Sequence, residues 1–76
     1  MTKTEFLHLL EEAIGARKDS IRGDESLKDL DGWDSMAAVA FIAMADERLG
    51  TLVEPAKLAV CKAVSDLVAL FPDKIF

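Results

Sequence analysis

Trp33-Asp34-Ser35-Met36 begins an apolar run that continues to Gly50, and this stretch decides the fold. Asp34 is a favourable N-cap residue because its carboxylate can accept the free backbone N–H groups of a first helical turn. Ser35 then occupies the first helical position, where the helix dipole and the backbone N–H groups favour an anion such as a phosphate ester. If Asp34-Ser35-Met36 is considered alone, the plainer interpretation is a serine that begins a helix and has no further role.

The helix that follows Ser35 is predicted over residues 36–49, and Gly50 is its expected C-terminal stop. Its core face, by helical spacing, carries Ala38, Phe41, Ile42, Ala45 and Leu49. The opposite face carries Met36, Ala40, Ala43 and Glu47, and only the last of these is charged. Such a stripe is either buried on both sides or kept for a partner, and the sequence leaves both possibilities open.

A first amphipathic helix is predicted over residues 2–15, where Thr2 and Glu5 have the spacing of a capping box. The pattern assigns Glu11 and Glu12 to its solvent side, and it places His8 on or near that side. The apolar face repeats every three or four residues and carries Phe6, Leu9, Leu10, Ala13 and Ile14.

Two shorter helices are predicted near the C-terminal end. Pro55 occupies an acceptable first position of a short third helix that runs towards Cys61. A last amphipathic helix ends at Pro72 and carries Val64, Leu67, Val68 and Phe71. No Gly, Pro, Ser or Thr separates Leu58 from Val64, so these two helices can also be nearly continuous.

Residues 17–34 have no helical period and contain several turn-forming residues. Four apolar residues are spaced along this segment like anchors into a core: Ile21, Leu27, Leu30 and Trp33. Residues 26–30 have the composition of one short helical turn. The fold class expected is therefore all-α, a four-helix bundle with a short third helix and a long packed loop between helices 1 and 2.

Length and charge limit the class of protein. The 76 residues suffice for a single domain, residues 1–76, with a thin core. A net charge of −5 disfavours nucleic acid and anionic membrane surfaces and favours a partner with a basic face. The longest apolar run is too short for membrane insertion, and the first residues lack the pattern of a signal peptide. We expect a cytoplasmic monomer.

Catalytic and metal chemistry find little support in the residue inventory. One histidine, one cysteine and no base adjacent to Ser35 leave no nucleophilic triad. Cys61 is expected to be a small buried or half-buried residue and not a reactive thiol. The acidic segment 29–34 fails as a calcium loop because its glycine is misplaced and Ala40 stands where the bidentate glutamate belongs. Neither a catalytic residue nor a metal ligand is predicted.

Taken together, the motifs resemble those of acyl carrier proteins. The features that carry the resemblance are Leu27-x-x-Leu30-x-Gly32-Trp33-Asp34-Ser35-Met36, the apolar helix, Asp46-Glu47-x-Leu49-Gly50 and Val64-x-Asp66-Leu67. The resemblance implies that Ser35 carries a 4′-phosphopantetheine arm, transferred from coenzyme A by a separate phosphopantetheinyl transferase, with Asp34 as helix cap and transferase recognition residue. It also implies a non-catalytic carrier that holds an acyl thioester. The implied partners are acyl-loading, condensing or acyl-transfer enzymes of fatty-acid, polyketide or related pathways.

Several positions depart from the family pattern. Ala37 and Ala40 occupy places where carboxylates are common, and Ala63 stands where a capping threonine is usual. The partner-binding residues expected here are Met36, Val39, Ala40, Ala43 and Glu47. Two alternatives stay open: an aminoacyl carrier of the D-alanyl or peptidyl type, and a helical interaction module without a prosthetic group.

Overall fold

A computed structural model describes residues 1–76 as a bundle of four helices without strands. The helices are α1 (Lys3–Ile14), α2 (Ser35–Leu49), α3 (Pro55–Ala59) and α4 (Val64–Ala69). A 3₁₀ turn, Leu27–Asp29, interrupts the long loop between α1 and α2. The predicted fold class, the short third helix and the helical turn in the loop are all confirmed. No helix of the chain combines the length and the apolar character that crossing a bilayer requires.

The ends of α1 and α2 follow from local sequence. At α1 the hydroxyl of Thr2 accepts from the Glu5 backbone N–H, and the Glu5 carboxylate accepts from the Thr2 N–H, which completes the predicted capping box. Gly50 ends α2 in the left-handed conformation (φ 61°), which glycine adopts without a steric penalty.

Three phenylalanine rings fill the centre of the bundle. Phe6 of α1, Phe41 of α2 and Phe71 after α4 are each at most 2% exposed. Their ring centroids lie 5.7 to 6.1 Å apart, in tilted and edge-to-face arrangements that aromatic pairs prefer. This aromatic cluster joins the first, second and last helices, so segments far apart in the sequence depend on one another for burial.

The burial of individual residues departs from the predicted faces in a few places. In α2, Phe41, Ala45 and Leu49 are buried as predicted, whereas Ala38 and Ile42 are only half-buried. Leu7 of α1 and Ala37 of α2 are buried, although neither belongs to the predicted apolar face of its helix. Small shifts of this kind arise because neighbouring helices cover a helix unequally.

The assignment of Glu11 to the solvent side of α1 is wrong. Glu11 is 2% exposed, and its carboxylate accepts hydrogen bonds from the backbone N–H groups of Asp19 (2.9 Å) and Ile21 (2.8 Å). A carboxylate can be buried here because both of its oxygens have donors. Glu12, the next residue, is exposed as predicted. The buried carboxylate therefore ties the start of the long loop to α1.

The long loop also determines where α3 ends and α4 begins. The Leu27 N–H donates to the carbonyl of Lys62, and the Val64 N–H donates to the carbonyl of Glu25, both at 2.9 Å. These two bonds frame an antiparallel bridge between Ser26 and Ala63. The connection is extended because its backbone pairs with the loop, and α3 and α4 are therefore separate.

Ala63 has no side chain that can cap α4, and Asp66, in the first turn, instead binds the backbone in front of the helix. Its carboxylate accepts from the backbone N–H groups of Lys62 (2.9 Å) and Ala63 (3.1 Å). The hydrogen bonds from Lys62 and then Ala63 lower the pKa of Asp66. The first turn of α4 is thus held by a residue inside the helix instead of one in front of it.

Candidate functional site at the start of α2

Ser35 is the first residue of α2 and is exposed. The helix is capped by the neighbouring side chain, because Asp34 Oδ1 accepts from the Ala37 backbone N–H at 2.8 Å. Asp34 itself has an extended backbone and is exposed. The two residues therefore have different roles at this terminus. Asp34 caps the helix, and the hydroxyl of Ser35 is accessible to another molecule.

Trp33 holds the segment before Ser35 against the bundle. Its indole meets the ring of Phe41 edge to face, with centroids 6.1 Å apart, and the side chain is half-buried. Leu30 is likewise half-buried against the core, and Ile21 and Leu27 are each 4% exposed. All four apolar residues that were predicted to anchor the loop do so.

Gly32 brings the loop close to the end of α1. It has φ 89°, and a Cβ added there would lie 2.6 Å from the backbone oxygen of Ile14. Only glycine fits this close approach between two backbone segments. Its role was not predicted; the single glycine directly before the Trp-Asp-Ser motif was the available signal.

A mostly apolar groove lies between α2 and α3, and Ser35 stands at its edge. It has a volume of about 430 Å³. Val39 lines this groove and is 67% exposed. The other apolar residues on its walls are Trp33, Ala38, Ile42, Pro55, Leu58, Ala59 and Cys61.

The remaining predicted partner residues lie on the other flank of α2, which faces α1. Met36 is 80% exposed, Ala43 and Glu47 are exposed, and Ala40 is half-buried. Ala40 and Ala43 line a depression together with Leu9 and Ala13 of α1. Met36, Ala40, Ala43 and Glu47 thus border the depressions next to α1, whereas Val39, a neighbour of Met36 and Ala43 on the same helix face, lines the groove towards α3.

Cys61 is half-buried in the groove between α2 and α3, as expected for a small packing residue. Burial and the nearby Asp66 carboxylate raise the pKa of its thiol. The protonated thiol is a weak nucleophile, since the thiolate is the reactive form. Ser35 therefore offers an exposed hydroxyl in this part of the molecule, whereas the thiol of Cys61 is not activated.

The family described as "Phosphopantetheine attachment site" matches residues 4–71. The match spans all four helices and the long loop, so the chain belongs to the phosphopantetheine-binding carrier proteins. Members of this family carry covalently attached 4′-phosphopantetheine. Searches of curated proteins and of solved structures returned no match.

Proposed function

We propose that this protein is a non-catalytic acyl carrier whose 4′-phosphopantetheine arm is attached to Ser35. The observation that supports the proposal best is the exposed hydroxyl at the first position of α2, in a helix end that Asp34 already caps. The arm supplies a terminal thiol, on which an acyl group is held as a thioester. The chain itself supplies the attachment oxygen and the surface on which partner enzymes dock.

The residues around Ser35 fit a phosphodiester. Free backbone N–H groups and the helix dipole at the start of α2 favour a negative charge on the Ser35 oxygen. Because Asp34 is exposed beside it, the carboxylate is also available for recognition by the phosphopantetheinyl transferase. The transferase must bring the means of activation, since the carboxylate beside the hydroxyl, that of Asp34, caps the helix.

The docking residues proposed for the acyl-loading, condensing or acyl-transfer enzymes are Met36, Val39, Ala40, Ala43 and Glu47. They form one face of the helix that Ser35 begins, and all but the half-buried Ala40 are exposed. A partner that brings its catalytic residues to the arm must approach this helix. The cargo is proposed to be a fatty, polyketide or related acyl group; an aminoacyl cargo is the second candidate.

The proposed carrier function also favours a cytoplasmic location and a monomer. An arm that ends in a thiol works where thiols stay reduced, which favours the cytoplasm. A monomer is proposed because each copy must present its own α2 to partner enzymes, and a net charge of −5 opposes self-association.

Intact mass spectrometry tests the carrier proposal directly. The protein is incubated with coenzyme A, Mg²⁺ and a broad-specificity phosphopantetheinyl transferase. We expect a complete shift by the mass of one phosphopantetheinyl group, located on Ser35 by peptide fragmentation. An interaction module without a prosthetic group would keep its original mass, and that result would reject the proposal.

Docking is tested by Ala43→Glu, with Ala69→Glu on α4 as the matched control. Both alanines are exposed, so neither change disturbs the core. We expect Ala43→Glu to slow acyl transfer with the pathway's own enzymes about tenfold, because the longer side chain prevents the close approach that an alanine allows. Ala69→Glu should transfer like the wild type. Equal rates for all three proteins, with unchanged circular dichroism, would remove Ala43 from the docking face.

A further inference from the structure

We propose that the acyl cargo of this carrier ends in a carboxylate, which Lys28 and Lys62 bind in a basic pocket between the long loop and the end of α3. The proposal names the class of cargo, so it rests on the carrier function proposed above. None of the docking residues proposed on α2 lines this pocket. It is therefore a site for what the carrier holds, and not for the enzymes that act on it.

The basic pocket forms where the loop pairs with the connection between α3 and α4. The Leu27 N–H donates to the carbonyl of Lys62 at 2.9 Å, beside the bridge between Ser26 and Ala63. Lys28 follows Leu27 in the 3₁₀ turn, so this long-range pairing brings both lysines to one cavity of about 390 Å³. The other residues that line the cavity are Ser26, Leu27, Trp33 and Cys61.

The lining of the basic pocket contains two ammonium groups and no carboxylate. Both lysines are exposed, and neither forms an ion pair, since the close pair of this chain joins His8 to Asp19. Asp66 is near enough to attract the charge of Lys62, but its carboxylate already accepts from the backbone N–H groups of Lys62 and Ala63. In a chain of net charge −5, the pocket is thus a local excess of positive charge that favours an anion.

The basic pocket adjoins the groove at whose edge Ser35 stands. Trp33 and Cys61 line both cavities, and the remaining walls of the groove are mostly apolar. The two cavities therefore connect the attachment oxygen of Ser35 with the lysines along apolar side chains. Methylene groups suit the apolar part of this path, and a carboxylate suits its basic end.

The charges discriminate among the possible cargoes. A carboxylate gains charge-assisted hydrogen bonds from the two ammonium groups. A plain fatty acyl group has no charged end and gains nothing from them. An aminoacyl group carries an ammonium of its own, which like charges repel. The phosphate of the arm stays on Ser35, which lines the groove but not the basic pocket.

The test compares three cargoes on the intact chain: adipoyl, hexanoyl and aminohexanoyl, which have equal carbon chains and differ at the end. A broad-specificity transferase loads each from a coenzyme A analogue that has an amide in place of the thioester, so the cargo stays attached. Intact mass verifies the loading. NMR measures the pKa of the isotope-labelled terminal carboxyl of adipoyl and follows the side-chain signals of Lys28 and Lys62.

We expect the combined substitutions Lys28→Gln and Lys62→Gln to raise the pKa of the adipoyl carboxyl by about 0.5, roughly a threefold loss of preference for the carboxylate over the neutral acid. Lys18→Gln and Lys74→Gln together are the matched control. Both of these lysines are exposed and lie outside the pocket, and the control removes the same charge. Because salt screens distant charges, it should raise the pKa by less than about 0.2.

In the wild type, adipoyl should shift the side-chain signals of Lys28 and Lys62, whereas hexanoyl and aminohexanoyl should leave them as in the protein that carries the arm alone. Circular dichroism checks that both double variants are folded. Equal pKa values in the two double variants would assign the effect to net charge and overturn the proposal. Lysine signals that respond alike to all three cargoes would also overturn it.

The loading step separates this proposal from the carrier function. If Ser35 accepts the arms and the carboxyl pKa does not respond to the lysines, the carrier function stands and the class of cargo is wrong. If Ser35 accepts no arm, the carrier function fails, and the proposed cargo fails with it.

Discussion

The two ends of the long loop use polar side chains in opposite ways. At its start, Glu11 of α1 is 2% exposed, and its carboxylate accepts hydrogen bonds from two backbone N–H groups of the loop. At its end, Ser35 is exposed, and the cap of α2 is supplied by Asp34. Glu11 is committed to the fold and is inaccessible to any partner. Ser35 is accessible and contributes little to the fold.

If Ser35 carries the arm as proposed, stability and function depend on different ends of the same segment. A buried charged group has to be fully paired, so its loss leaves unpaired donors inside the protein. An exposed hydroxyl is hydrogen-bonded to water in the folded and the unfolded protein, so its removal costs little free energy of unfolding. We therefore expect substitutions at the two ends to have opposite consequences, and the experiments below test that expectation from the largest effect to the smallest.

Ser35→Ala should abolish attachment of the phosphopantetheinyl group, because the attachment oxygen is removed. Its free energy of unfolding should stay within about 0.5 kcal/mol of the wild-type value, as for other exposed substitutions. Intact mass after incubation with coenzyme A and the transferase gives the first quantity, and urea unfolding gives the second. A variant that still gains the full mass would move the attachment site elsewhere.

Glu11→Ala should have the opposite effect to Ser35→Ala, a loss of stability without a loss of attachment. Removing the carboxylate leaves the buried backbone N–H of Ile21 and the partly buried one of Asp19 without acceptors, which we expect to cost about 2–4 kcal/mol of unfolding free energy. Glu12→Ala is the matched control, since Glu12 is the exposed neighbour and should cost less than about 0.5 kcal/mol. Urea unfolding of both variants measures the contrast. Equal losses in the two variants would contradict the special role of Glu11.

The folded fraction of the Glu11→Ala variant should still accept the arm on Ser35. Loading is measured well below the unfolding midpoint of the variant. A folded variant that cannot be loaded would mean that the start of the loop positions Ser35, and the separation of stability from function would fail.

Trp33→Ala probes the apolar anchor directly before Ser35. Full burial of a large apolar side chain contributes about 1.5–3 kcal/mol, and the half-buried Trp33 should contribute about 1–2 kcal/mol. Met36→Ala, on the other side of Ser35, is the control because Met36 is 80% exposed. Thermal unfolding compares the two variants. Fluorescence of Trp33 in the folded wild type should be blue-shifted from that in denaturant; identical emission would contradict the packing against Phe41.

The smallest effect is expected at Asp66, and it depends on pH. Backbone N–H groups lower the pKa of Asp66 from its ordinary value of 3.8. A lowered pKa adds stability above the unfolded-state value, and this contribution disappears as pH falls through the folded-state value. The stability difference between wild type and Asp66→Asn should therefore shrink below about pH 4. Ser65→Ala, which has no titrating group, should show a difference independent of pH.

Local features of the sequence were enough to predict most of the helices and the proposed site. The capping box of Thr2 and Glu5, the Asp34 cap and the Gly50 stop act within one or two turns, so their signals lie in adjacent residues. The loop anchors were also predictable, because isolated apolar residues in a polar segment of a small domain need a core to cover them. The place of Ser35 at the start of α2 follows from the same local signals.

Glu11 is the clearest case that the sequence pattern missed. Its helical spacing from Leu7 and Ile14 would place it on the apolar side, but a glutamate is usually solvated. Only the return of the loop past α1 supplies the two N–H groups that make its burial favourable.

The division between α3 and α4, and the two flanks of α2, were likewise decided by tertiary structure. The extended connection exists because residues 25–27 provide it with backbone partners from a distant part of the chain. The predicted partner-binding residues of α2 border two depressions, because α1 lies along one side of the helix and α3 along the other. Local sequence thus determined where α1 and α2 begin and end and which hydroxyl begins α2. Long-range pairing and packing decided which polar groups are buried, because those free energies depend on partners that adjacent residues do not specify.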